Sequence, residues 1–221
     1  MDRATLEKRL TAVGEEAMHC ERKCEGVRRI EAQCILSVQS VISGSDSAIS
    51  CVGVGMTPIR KRWAATCGRG NLLGGGDEVQ MPASFSRLRA FGAELGVKDT
   101  FIWASVCKCE RIKGEKLPRE TMETCARELL AKELEPIERS VPIVALGNRV
   151  FDTIRRCFPN RFVLNVPSLN GSCSNFQKTI GDRRLLDLAR RQVVANKPGA
   201  MCLCPPCARK YFADEAVYRS I

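Results

Sequence analysis

The spacing of apolar residues changes character several times along this chain. From Leu6 to Val27, the residues Leu6, Leu10, Val13, Ala17, Cys20, Cys24 and Val27 recur at three- and four-residue steps. That period is the stripe of a helix, and residues 2–42 are predicted as one or two helices. The turn-rich SGSDSAIS follows and leads into a first strand over Ala48–Val54. Three further apolar runs read as strands: FIWASVCKC ending at Cys109, VPIVALG over 141–147, and RFVLNVPSLNGS over 161–172. Helical periodicity lies between and after them, over 84–95, 119–137, 149–157 and 181–196. Residues 55–84 read as loop, with glycines at 68, 70, 74, 75 and 76 and a basic IRKRW run. Strands alternating with helices predict a three-layer α/β/α fold with a central, mostly parallel sheet of about four strands. At 221 residues the chain suits one such domain, taken as 1–200 with a helical lead-in over 1–45. Residues 201–221 form a cysteine-rich tail.

An open parallel sheet has its crevice beyond the carboxyl ends of its strands. The loops GVGMTPIRKR after the first strand and NVPSLNGS after the last are expected to share that cleft. Their small residues let backbone N–H groups approach a phosphate, and the hydroxyls of Ser168 and Ser172 add donors. A formal charge of +10, from 35 Lys and Arg against 25 Asp and Glu, points the same way, towards an anionic partner. Arg60, Lys61, Arg62 and Trp63 offer charge and one stacking surface.

Thirteen cysteines and one histidine change the picture further. The odd count, a charged first segment and no run of 18 apolar residues argue for the cytoplasm and against a membrane span. In a reducing compartment clustered cysteines are metal ligands more often than disulfides. Fifteen residues separate Cys109 from Cys125, and a helix starting near Pro118 would bring Cys125 back to the strand end. Cys20 and Cys24, four apart on a helix, would share one face. Cys202, Cys204 and Cys207 form a tight C-x-C-x2-C that needs a fourth ligand for a tetrahedral zinc or iron site, drawn from Cys20, Cys24 or Cys107. Cys34, Cys51, Cys67, Cys157 and Cys173 read as core or surface thiols. His19, the only histidine, reads as a surface or capping residue, with a neighbour of the metal cluster as the alternative, so neither a His-dependent triad nor a two-His metal centre is expected.

Taken together, Lys108-Cys109, Cys125 with its intervening proline, VALG at 144–147, Pro167-Ser168 and CVGVGMTP at 51–58 resemble the uracil-DNA glycosylase superfamily, most closely its iron–sulfur branch. The resemblance spans roughly residues 20–190. It implies a DNA-binding monomer that hydrolyses the N-glycosidic bond of a damaged base, with a [4Fe–4S] cluster on Cys20, Cys24, Cys109 and Cys125. Zinc is the alternative metal. The family's water-orienting Asp, Asn or Glu corresponds to Thr57, flanked by Gly55, Met56 and Pro58. Its anion-stabilising His or Asn corresponds to Val166, and its base-reading Asn to Ser105. Pro167 and Ser168 would hold the phosphate, and Leu169 would wedge into the base stack. With these positions altered, two other functions stay open: an inactive DNA-binding or scaffold protein of the same fold, and an unrelated α/β protein with structural zinc.

Overall fold

Four runs buried along nearly their whole length form the middle of the molecule, as a parallel sheet covered on both faces requires. The computed structural model describes residues 2–28, 40–44, 48–56, 83–97, 100–167, 179, 181–195 and 197–213. In chain order these give α1 (Arg3–Met18), β1 (Val27–Arg28), β2 (Val41–Ser43), β3 (Cys51–Gly55), α2 (Ala83–Glu94), β4 (Phe101–Ser105) and β5 (Glu110–Arg111). Next come α3 (Arg119–Cys125), a π-helical turn (Ala126–Leu130), α4 (Ala131–Leu134), β6 (Ile143–Leu146) and α5 (Asn148–Cys157). The last elements are β7 (Phe162–Val166), α6 (Arg183–Ala195), β8 (Gly199–Cys202) and α7 (Pro205–Ala213).

The main sheet has the order β2-β4-β3-β6-β7-β8, parallel throughout except for β2, which runs antiparallel to β4. Alternation along the strands sorts their side chains into two layers. Val52, Val54, Ile102, Ala104, Ile143, Ala145 and Val163 pack with Leu6 and Leu10 of α1, Met122 of α3, Leu134 of α4 and Ile154 of α5. Cys51, Phe101, Trp103, Val144, Leu164 and Val166 pack with Phe91 of α2 and Leu185, Leu186 and Ala189 of α6. The fold is therefore the three-layer α/β/α arrangement expected.

The sheet carries six strands where about four are expected. Both extra strands are edges too short to reveal a period: β2 has three residues and β8 has four. β2 lies in the stretch expected to be helical, and β8 spans the 200/201 boundary drawn for the tail. The start of the tail is therefore part of the sheet, paired with β7 from Phe162↔Gly199 to Asn165↔Cys202. The first helix also stops earlier than its apolar period suggests. It ends at Met18, with exposed His19 as its C-cap donating its N–H to the carbonyls of Glu15 and Glu16. Cys20 and Cys24 thus lie beyond a helix end and not on one helical face. Among the described residues no helix is long and apolar enough to cross a membrane.

Candidate metal centres

Beyond the carboxyl end of β4 the chain turns through Val106, Cys107, Lys108 and Cys109 into β5. There it meets the segment that follows α1. β5 pairs antiparallel with β1, Val27 opposite Arg111 and Arg28 opposite Glu110. An Arg28–Glu110 ion pair at 2.6 Å, a bond from Ile112 N–H to the Gly26 carbonyl and one from the Thr121 hydroxyl to the Glu25 carbonyl fasten the two segments. Gly26 makes the crossing possible. Its φ is +74°, and a Cβ there would sit 2.6 Å from the Lys116 carbonyl oxygen and 2.9 Å from Pro118 Cδ. Only glycine fits both the backbone angle and the approach.

The result is one partly open cavity lined by Cys20, Cys24, Cys107, Cys109 and Cys125. All four cysteines expected to act together are in it, although Cys20 and Cys24 arrive on irregular backbone. Cys107, which the sequence reading gave only as a ligand for the tail, is the fifth. It is 1% exposed, whereas the other four are partly exposed. The Cys107 thiol donates to Cys125, which raises Cys107, a shift that burial reinforces. The same bond lowers Cys125 against its burial, with help from the Lys108 N–H, which donates to Cys125 Sγ at 3.4 Å. Burial, then the neighbouring Cys20 and Cys125, pushes the Cys24 thiol up. Neighbouring thiolates repel, as Cys20 and Cys125 do Cys24, and a bound cation removes that cost.

Lys108 also lines the cavity. Its ammonium reaches Glu133 of α4 at 2.6 Å and the Ser40 hydroxyl at 3.3 Å, with both charged side chains 1% exposed. This buried pair ties the cysteine loop to the helix that follows Cys125. Above it the π-helical turn sends Leu129 towards Val13 and Ala17 of α1 and Leu130 into the sheet-side core.

A second group of cysteines stands at the opposite edge of the same carboxyl side. Cys202 ends β8, the Cys204 carbonyl accepts the first N–H groups of α7 from Cys207 and Ala208, and Cys207 lies in the first turn. Pro205 at the first helical position is preorganised for that turn. The three sulfurs all lie within 4.8 Å of one another, and those of Cys202 and Cys204 are 3.1 Å apart. Among the described residues no other three Cys, His or carboxylate donors are so crowded. This cluster could bind a metal ion. Four strand spacings, from β4 to β8, put about 19 Å between it and the first cavity. The two cannot share ligands, so Cys20, Cys24 and Cys107 do not complete the tail site.

The remaining expected residues divide in two. Thr57, Pro58, Ser168 and Leu169 lie outside the described residues, as do Arg60, Lys61, Arg62 and Ser172. Gly55 and Met56 are held at the mouth of the cysteine loop, since Val106 N–H bonds to the Gly55 carbonyl and Cys107 N–H to that of Met56. Ser105 is opposite Gly55 in register and 6% exposed. Val166 is 0% exposed in the α2–α6 layer, and half-buried Pro167 follows it. A donor built at 166 would therefore point into the core. Cys51 is a core thiol, pushed up to about 12 by burial, and Cys157 is half-buried.

Asn165 carries chemistry that pattern reading sets aside. It is 0% exposed, and its Nδ2 donates to Asn148 Oδ1 at 2.7 Å and Cys202 Sγ at 3.0 Å. An amide in an otherwise apolar strand is the signal that marks it. No family model and no curated protein matches the sequence of this chain.

Proposed function

We propose that this chain is a DNA-binding protein of the uracil-DNA-glycosylase type that hydrolyses the N-glycosidic bond of a damaged base and carries a [4Fe–4S] cluster. One observation carries the metal assignment. Cys20, Cys24, Cys109 and Cys125, from two segments distant in sequence, line one cavity, and no three of them are crowded as Cys202, Cys204 and Cys207 are. A cubane holds its thiolates farther apart than one ion does, and four cysteine thiolates are its usual ligand set. Cys107, buried and donating to Cys125, supports the ligands from beneath. The cluster, when bound, cross-links the segment after α1 to the β4–α3 unit.

The parallel sheet and the net charge of +10 support the DNA reading, because the loops after β3 and β7 leave the same carboxyl edge as the cysteine cavity. In it, Thr57 orients the attacking water and Ser168 fixes the phosphate beside the extruded sugar. Leu169 fills the gap in the base stack. A threonine hydroxyl is a weak base, and Val166 supplies no donor to the departing base anion, so excision of uracil is slow. Val166 buried without a polar group specifically favours the second reading, a DNA-binding protein that has lost catalysis.

The test is protein purified without oxygen and assayed on oligonucleotides bearing uracil, hypoxanthine or oxidised bases, with binding measured on the same strands. Excision abolished by Thr57→Ala supports the enzyme. Binding without excision of any base selects the inactive reading, and no binding at low salt removes DNA from the account.

A further inference from the structure

We propose that Cys202, Cys204 and Cys207 form a second metal site, taking one zinc ion through three thiolates with the fourth tetrahedral position left to water. The crowding of the sulfurs fits one ion. Zn–S bonds of about 2.3 Å set tetrahedral sulfurs about 3.8 Å apart, so the 3.1 Å pair need open by only about 0.7 Å. The backbone is already shaped for this. Cys202 is fixed by pairing with Asn165 and by its N–H donating to the Tyr211 hydroxyl at 3.0 Å. Cys204 and Cys207 sit at the start of α7, where the positive end of the helix dipole favours thiolates.

Asn165 is the independent observation. Its Nδ2 donates to Cys202 Sγ from a wholly buried position, the contact that outer residues make to metal-bound sulfur. Its other atom, Oδ1, is buried without a hydrogen-bond partner. An orphaned acceptor of that kind is costly, and a water on the ion would satisfy it. Binding would displace the thiol protons and leave a site separate from the iron cavity, so the assignment stands whether or not that cavity holds its cluster.

Zinc and iron are measured per chain in the full-length protein made without oxygen. Zinc is then stripped and replaced by titrating cobalt(II), followed by difference spectra. About one zinc per chain is expected, and cobalt should give tetrahedral d–d bands with thiolate charge-transfer absorption. Cys204→Ser with Cys207→Ser should remove the zinc and leave the iron unchanged. Asn165→Ala should keep the ligands and weaken zinc by about 10–100-fold against a competing chelator. If the double variant fails to fold, the cobalt spectrum of the unaltered protein decides. The site is overturned by a chain that takes up neither zinc nor tetrahedral cobalt, or by zinc retained in the folded double variant. Loss of iron in place of zinc, or a Cys202–Cys204 disulfide in the anaerobic protein, also overturns it. Absence of iron with the zinc results intact defeats only the cluster.

Discussion

Replacing Lys108 by Met removes the ammonium from the buried pair under the cysteine loop and leaves its partner stranded. Lys108 and Glu133 are each 1% exposed and 2.6 Å apart, and Glu133 Oε1 already lacks a partner. With the ammonium gone, the Glu133 carboxylate is left buried without its charged partner. Breaking a buried pair from one side costs about 3–5 kcal/mol, because the surviving charge stays desolvated. For a chain of this size each kcal/mol moves Tm by about 2–4 °C, so the fall should be roughly 6–20 °C. Lys108→Met with Glu133→Leu removes both charges at similar volume and should recover most of that loss. The assay is thermal unfolding by circular dichroism, on samples matched for iron content. A single variant within about 2 °C of the unaltered protein, or no more stable once Glu133 is also replaced, would refute the reasoning.

Gly26→Ala forces a side chain into the Lys116 carbonyl at a positive φ, and should cost about 1–3 kcal/mol and lower the iron content; full iron at unchanged Tm would contradict the crossing described. Glu123 accepts from Arg119 and then Arg156, which hold its carboxyl at about 2 against an ordinary 4.5. A depressed carboxylate stabilises the fold above the unfolded value and loses that effect as pH falls through the folded one. The Tm gap between the unaltered protein and Glu123→Gln should hold steady above pH 4.5 and shrink towards pH 2; a gap that widens in acid would refute the assignment. DNA affinity should fall with salt by about 0.9 in log K per log unit for each phosphate contacted on duplex. Alanine at Arg60, Lys61 and Arg62 should flatten that slope, and an unchanged slope would take this run off the DNA.

The layered fold was legible because each core strand is a nearly continuous apolar run and each covering helix has its own stripe. Phe101–Ser105, Ile143–Leu146 and Phe162–Val166 fall inside the expected runs, each shorter than its run. What escaped was short or set by contacts distant in sequence. β2 and β8 are edge strands whose pairing comes from neighbours about 60 and 37 residues away. The period through Cys20 and Cys24 continued that of α1, yet Gly26 and the β1–β5 pairing set that backbone. Cys109 and Cys125 were readable from spacing alone. Neither Cys107 beneath them nor Asn165 beside Cys202 can be assigned from spacing, because Cys107 owes its place to the turn after β4 and Asn165 to which way β7 turns its side chain.

The central claim is that Cys20, Cys24, Cys109 and Cys125 hold one iron–sulfur cubane. Mössbauer spectroscopy of protein grown on iron-57 and kept anaerobic tests it most directly, since the spectrum reports cluster type and not only iron content. About four irons per chain in a single [4Fe–4S] signal are predicted, lost in Cys109→Ser and Cys125→Ser and kept when Cys204 and Cys207 are replaced. A spectrum without a cubane signal from protein whose cavity binds only zinc, or a cubane that survives both serine variants, would contradict it.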